Sequence, residues 1–191
     1  PFAGLFTQGM VCHETYRDAE GRWLTPDEAA EARACDRPLT IGRVEKMSKS
    51  KRNTVDPEPI IARYGADALR WFLLSDSPPE RDVQWTEAGI EGAGRFVQRV
   101  WRLLGAAAGE GRDAGLAGRL HRTIRDVTEE IDALRFNKAV ARLYELVSAI
   151  EDAPASATRG EAVRTLVQLI APMAPPQPAP AAKRDALLAC A

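Results

Sequence analysis

Residues 45–53 read EKMSKSKRN. Lys46, Lys49, Lys51 and Arg52 put four cations within seven positions, with Met47, Ser48 and Ser50 among them. By composition such a run reads as a solvated face; a nuclear-localisation signal is a weaker reading, because serines break the run. Its setting favours a third reading, a ligand loop. Thr40-Ile41-Gly42 leads in from a sheet strand, and Asp56-Pro57 opens a helix just after it. Nucleotide-binding α/β folds place their ligand loops at such junctions. Serine hydroxyls and lysine ammonium groups there are mobile donors to a polyphosphate, and lysine is a compact cation that can follow phosphate charge as it shifts.

Outward from the loop, the punctuation is helical on the C-terminal side. Asp56 is an N-cap, Pro57 stands at the first helical position, and Gly65 ends the segment after Ile60 and Ile61. A further helix is expected over 66–74, stopped by Ser77-Pro78-Pro79. On the N-terminal side, Leu5 to Val11 (LFTQGMV) is apolar and uncharged and reads as a buried strand of a parallel sheet. Gly9 within it marks either close approach of another backbone or a bulge. Asp18-Ala19-Glu20-Gly21 supplies a hairpin turn. Thr25-Pro26-Asp27-Glu28 combines an N-cap, an N1 proline and a capping-box glutamate, so a helix is expected over 26–34.

From Thr86 onward apolar residues recur at three- and four-residue steps in four runs. Ile90 to Leu104, Leu116 to Leu134, Val140 to Ile150 and Val163 to Met173 predict an antiparallel bundle of amphipathic helices. The joints are expected at 105–118, which is Gly-rich, and at 153–157, with Thr158 and Glu161 as a capping box for the last helix. Phe96, Trp101 and Phe136 fall on apolar positions and are expected in the core. Beyond Pro175, prolines at 176, 178 and 180 cannot sustain a helix, and disorder is expected.

Composition excludes little and directs attention back to the loop. The net charge is −1 over 191 residues, so any polyanion site must be a local cluster. Cys12, Cys35 and Cys190 are scattered, without zinc-ligand spacing, and an odd count suits a reducing cytoplasm. The adjacent pair Cys12-His13 is read as incidental. No apolar run reaches membrane-span length. The opening Pro1-Phe2-Ala3-Gly4 and the Pro/Ala-rich close suggest an internal piece of something larger, or a gene product broken at both ends.

KMSKS at 46–50 resembles the second signature of the class I aminoacyl-tRNA synthetases. A given five-residue string is expected in a chain of this size on the order of once in ten thousand. Asp56-Pro57, Tyr64-Gly65-Ala66-Asp67 and Arg70 resemble the segment after this loop in the leucine, isoleucine, valine and methionine enzymes. TQGMV (7–11), SPPERDVQW (77–85), GIEGAGRFVQRVWRL (89–103, with substitutions), FNKAV (136–140) and LIAPMAP (169–175) look most like the leucyl-tRNA synthetases. The resemblance implies a mostly α fold with a small α/β part: the end of a Rossmann-like catalytic domain, then an antiparallel helical anticodon-binding-type bundle. It implies domains at 1–56 (catalytic end with the loop), 57–85 (helical connector), 86–175 (bundle) and 176–191 (tail).

The activity implied is activation of leucine by ATP, entering with Mg²⁺, followed by transfer to tRNA(Leu), in a cytoplasmic protein that is monomeric at full length and binds no zinc. Carried over by position, Lys49 and Lys46 are the catalytic cations. Lys46, Met47, Ser48, Lys49 and Ser50 form the ATP loop, with Met47 its anchor and the serines phosphate or loop-closing donors. Lys51 and Arg52 are expected to be solvated, with contact to tRNA or ATP as the lesser reading. Arg119, Arg122 and Arg125 are candidate tRNA contacts; the competing reading is a stripe paired with Asp126, Glu129 and Glu130. No HIGH-type signature is present: His13 precedes Glu14-Thr15-Tyr16, and His121 lies in the bundle. The chain alone is therefore expected to be inactive. The alternatives are a non-catalytic RNA-binding helical module and a methionine-, valine- or isoleucine-type synthetase.

Overall fold

Seven residues, VCHETYR at Val11–Arg17, form the central strand (β1) of a small sheet in the computed structural model, which describes residues 4–105 and 109–175. Trp23–Leu24 (β2) and Thr40–Lys46 (β3) run antiparallel to β1, and Val83–Gln84 (β4) pairs parallel with its start at Val11 and Cys12. The sheet is thus mainly antiparallel, and the strand expected over Leu5–Val11 begins only at its last residue. Apolar composition misled there: Leu5 is 90% exposed, and residues 4–10 form no strand. Gly9 instead lies against the chain at 79–82. Its amide donates to the Pro79 carbonyl at 2.8 Å, and a Cβ on it would sit 2.0 Å from the Arg81 carbonyl oxygen. Close backbone approach is therefore the reason for Gly9. The bulge lies in β3, where Gly42 and Arg43 stand opposite Thr15, whose hydroxyl donates to the Arg43 carbonyl.

The helix signals near the loop are realised. Pro26–Ala34 (α1) is opened by a complete Thr25/Glu28 capping box. Pro57–Tyr64 (α2) is capped by Asp56 and ends at Gly65, whose φ of 87° lies in the region glycine favours; Ala66–Ser75 (α3) follows at once. Glu87–Leu104 (α4), Ala114–Asp132 (α5), Phe136–Asp152 (α6) and Ala157–Ile170 (α7) complete the described helices. Two boundaries differ from expectation. Asp113 caps α5, its carboxylate accepting from the Leu116 amide at 2.9 Å, so Gly115 and Gly118 lie inside the helix rather than in a joint. Ser156, not Thr158, caps α7; the Thr158 hydroxyl is turned to the Asp113 amide, 3.1 Å away. Here tertiary partners outweigh a local capping pattern.

Four helices in sequence do not by themselves describe the packing. α6 buries Ala139, Val140, Leu143, Leu146, Val147 and Ile150, packing α3 and α4 on one side and α5 and α7 on the other. α3 is therefore a full member of the helical body. Trp71 of α3 stacks on Phe96 of α4 with ring centroids 4.3 Å apart, and both rings meet Tyr144 of α6. Phe96 is core, 2% exposed, and Phe136 is partly buried against the core, but Trp101 is 44% exposed, contrary to its apolar spacing. One apolar position per turn can lie at the edge of a wide helical stripe and remain wet. The expected disorder after Pro175 lies outside the described residues. Among the described residues, no helix is long and apolar enough to cross a membrane.

Candidate functional site

β3 ends at Lys46, and the basic run then folds as a short 3-10 turn at Lys49–Lys51 before α2. The turn forms because Ser48 acts as its N-cap, the hydroxyl accepting from the Lys51 amide at 3.3 Å while lying 3.2 Å from the Ser50 hydroxyl. Met47 anchors the stem: its amide donates to the Val11 carbonyl on β1 at 3.1 Å, and its side chain packs against the core. Arg52 closes the turn in the left-handed region at φ 54°.

The four cations separate into two kinds. Lys51 is ion-paired with Glu45 on β3. Arg52 pairs with Glu28 at 2.9 Å and donates to the Trp23 carbonyl at 3.2 Å. The Thr25 amide, then the Arg52 guanidinium, hold the Glu28 carboxyl below its ordinary range. Lys51 and Arg52, expected to be solvated, do stay at least partly exposed, but each is also a tether to a neighbouring element, through partners six and twenty-four residues away in sequence. Lys46 and Lys49 are exposed, and neither enters any ion pair formed among the described residues. The site thus presents two uncommitted ammonium groups and two serine hydroxyls on a turn whose other charges are neutralised. An anion with several oxygens is the ligand such a surface can recognise.

Sequence reasoning passed over Asn53. Its side chain is fully buried and hydrogen-bonds the Ser48 amide and the carbonyls of His13, Glu45 and Lys46. The available signal was an uncharged amide closing a run of cations, three residues before a helix cap. Cys12 and His13 are both buried in β1; burial, then the nearby Asp82 carboxylate, push the Cys12 thiol up, which makes it a poor nucleophile. Among the described residues, no group of three His, Cys, Asp or Glu side chains could hold a metal ion.

Arg119, Arg122 and Arg125 are all exposed on α5, far along the chain from the loop. Arg125 pairs with Asp126 at 2.8 Å, as the competing reading required. Arg119 and Arg122 take part in no ion pair among the described residues, and Glu130 pairs instead with Arg135.

Residues 40–86 match the class I tRNA synthetase family of the isoleucine, leucine, methionine and valine group, and residues 113–176 match the anticodon-binding domain of tRNA ligases. Similar proteins include the leucine–tRNA ligases of Rhizorhabdus wittichii, 57% identical over 178 residues, and Zymomonas mobilis, 58% identical over 184 residues. These matches cover 92% of this chain and 21% and 22% of the relatives, so the chain spans about a fifth of their length. The LeuRS–tRNA–LeuAMS ternary complex of Agrobacterium radiobacter has the same fold over 92% of this chain and 22% of that chain, with a TM-score of 0.65 and 26% identity. Methionyl-tRNA synthetase of Mycobacterium tuberculosis, in complex with methionyl-adenylate, shares the fold at a TM-score of 0.53 and 21% identity, over 68% of this chain and 33% of that chain.

Proposed function

The chain belongs to the class I tRNA synthetases, as a homologue of one segment of the leucine–tRNA ligases, and from that premise we propose that it supplies the ATP loop and the tRNA-facing bundle of a leucine-activating enzyme. The observation that carries this reading is the division of charge in the basic run: Lys51 and Arg52 are tethered, whereas Lys46 and Lys49 are exposed and unpaired among the described residues. On this reading residues 1–56 end the catalytic domain, 57–85 connect, with α3 of that connector packed into the bundle's core, 86–175 form the rest of the bundle and 176–191 a tail.

In the reaction, the leucine carboxylate oxygen attacks the α-phosphorus of ATP. The bond from that phosphorus to the bridging oxygen breaks, and pyrophosphate leaves with the electron pair. ATP enters as its Mg²⁺ complex, the ion being part of the substrate. Charge on the leaving group grows as the bond breaks, so a cation that engages it more strongly at that moment lowers the barrier, while one that binds ATP equally beforehand does not. Lys49, on the exposed side of the turn, takes that role, and Lys46 at the strand end supports it. Ser48 and Ser50 exchange their mutual hydrogen bond for phosphate oxygens, and Met47 keeps the stem in place. Arg119 and Arg122 are the bundle's contacts to the tRNA phosphates, with Arg125 less available because Asp126 holds it.

The test places residues 4–175 of this chain into the Zymomonas mobilis ligase in place of its homologous segment. Leucine-dependent exchange of pyrophosphate into ATP is expected from the chimera, together with charging of tRNA(Leu). A folded chimera that binds ATP yet shows no leucine-dependent exchange would overturn the proposal. The isolated chain is expected to show no exchange above background.

A further inference from the structure

We propose that Asn53 is the positioning residue of the basic loop, locking both ends of residues 47–53 to the sheet so that Lys46 and Lys49 are presented from a preset turn. This rests on the polyphosphate reading above and specifies how the loop is held for that task. Asn53 is 0% exposed. Its Oδ1 accepts from the Ser48 amide at 2.9 Å. Its Nδ2 faces the carbonyls of His13 and Glu45, each at 3.3 Å, and of Lys46 at 3.5 Å. The orientation is fixed by these neighbours, since an amide N–H requires the oxygen and carbonyls require the nitrogen.

His13 lies on β1 and Glu45 and Lys46 on β3, while Ser48 begins the turn and Asn53 follows directly on Arg52, which closes it. A single side chain therefore joins two strands to both ends of the loop. Arg52, at φ 54°, turns the backbone just before it. Such a conformation is unfavourable for a non-glycine residue and persists where the surroundings over-determine it. Neither alanine nor aspartate does the same work. Alanine leaves the Ser48 amide and the strand carbonyls without their partner in a buried place. Aspartate keeps the acceptor but sets its second oxygen against three carbonyls. Between the clamped ends, Lys49 and Ser50 stay exposed. The arrangement is a rigid frame around a short free segment.

The experiment uses the full chain labelled with ¹⁵N. In the unaltered protein the Ser48 amide should exchange its hydrogen at least about tenfold more slowly than those of Lys49 and Ser50, since Asn53 is its acceptor. Inorganic pyrophosphate should shift the Lys46 and Lys49 amide signals saturably. In Asn53→Ala, with Trp71 and the other bundle signals unchanged, Ser48 protection should fall roughly tenfold or more and residues 48–52 should gain fast motion. Pyrophosphate affinity should drop about tenfold, whereas Glu58→Gln on α2 should leave it unchanged. A Ser48 amide that exchanges as fast as its neighbours in the unaltered protein overturns the proposal even if Asn53→Ala fails to fold. So does a folded Asn53→Ala with the order of 48–52 preserved. If pyrophosphate does not bind while the exchange pattern holds, the polyphosphate reading fails on this chain, and Asn53 stands as the residue that orders the loop.

Discussion

Tyr16 on β1 shows how one residue ties burial to pH. The residue is 6% exposed, and its hydroxyl donates to the Glu14 carboxylate at 2.9 Å. Burial first, then Glu14, push the phenol up to about 12. Because the folded state holds this proton more tightly than the unfolded chain, the stabilisation is complete below about pH 10 and disappears as pH rises from there towards about 12. Alkaline unfolding of the intact chain should therefore steepen in that window, and Tyr16→Phe should flatten it; an unchanged alkaline profile in Tyr16→Phe would contradict the account. At the same scale, the division among the loop cations makes opposite forecasts for adjacent lysines. In the chimeric ligase, Lys49→Ala should slow adenylate formation on the order of a hundredfold, roughly 3 kcal/mol, with ATP dissociation little changed. Lys51→Ala removes only a half-exposed ion pair and should alter the rate less than about threefold. Single-turnover kinetics at saturating leucine, with ATP varied, separate the two constants; a pure loss of ATP affinity in Lys49→Ala would make the loop a ground-state clamp.

Helix contacts decide what a glycine is for. Gly89, in the first turn of α4, has the Phe72 ring of α3 2.4 Å from where a Cβ would stand, whereas Gly118 inside α5 meets nothing within 4 Å. Gly89→Ala should therefore destabilise the fold by about 1–3 kcal/mol, through overpacking. Gly118→Ala should stabilise it by about 0.5–1 kcal/mol, because alanine restricts the unfolded chain and favours the helix. Denaturant titrations of the two variants give the comparison directly, and equal effects would refute the packing described for α3 and α4. Between α4 and α6, Arg99 donates to both carboxylate oxygens of Glu151, at 3.1 and 2.6 Å. Those bonds hold the Glu151 carboxyl below its ordinary range. The pair's contribution is present above the ordinary glutamate range and is lost as pH falls through the lowered value. Glu151→Gln should reduce stability by no more than about 1 kcal/mol at neutral pH and less in acid, because the pair is partly exposed.

At the scale of the molecule, α6 is the shared wall of the core. Leu143 and Leu146 are each 0% exposed, and the buried cluster runs without a break from Ala68 of α3 to Met173. Leu146→Ala should cost about 2–5 kcal/mol and lower a single transition seen together by circular dichroism and tryptophan fluorescence; two separated transitions would mean that α3 and α4 form a body apart from α5 and α7. The sequence by itself determined the local features: the caps at Thr25 and Asp56, the break at Gly65, the amphipathic runs and the lysine-serine loop. These depend on residues within a few positions of one another, where backbone hydrogen bonds and side-chain periodicity act alone. The family resemblance likewise lies in the sequence alone, in KMSKS and its flanks. Only the tertiary structure decided which strand the N-terminal segment makes, because a strand exists through its ladder partners, and LFTQG has none among the described residues. Only it showed that Ser156 rather than Thr158 caps α7, that Trp101 is partly exposed and that α3 joins the bundle. Most of all, it separated Lys51 and Arg52 from Lys46 and Lys49, four cations alike in sequence. Their difference lies in Glu45, Glu28 and the Asn53 clamp, contacts that form only once β1, β3 and α1 are brought together.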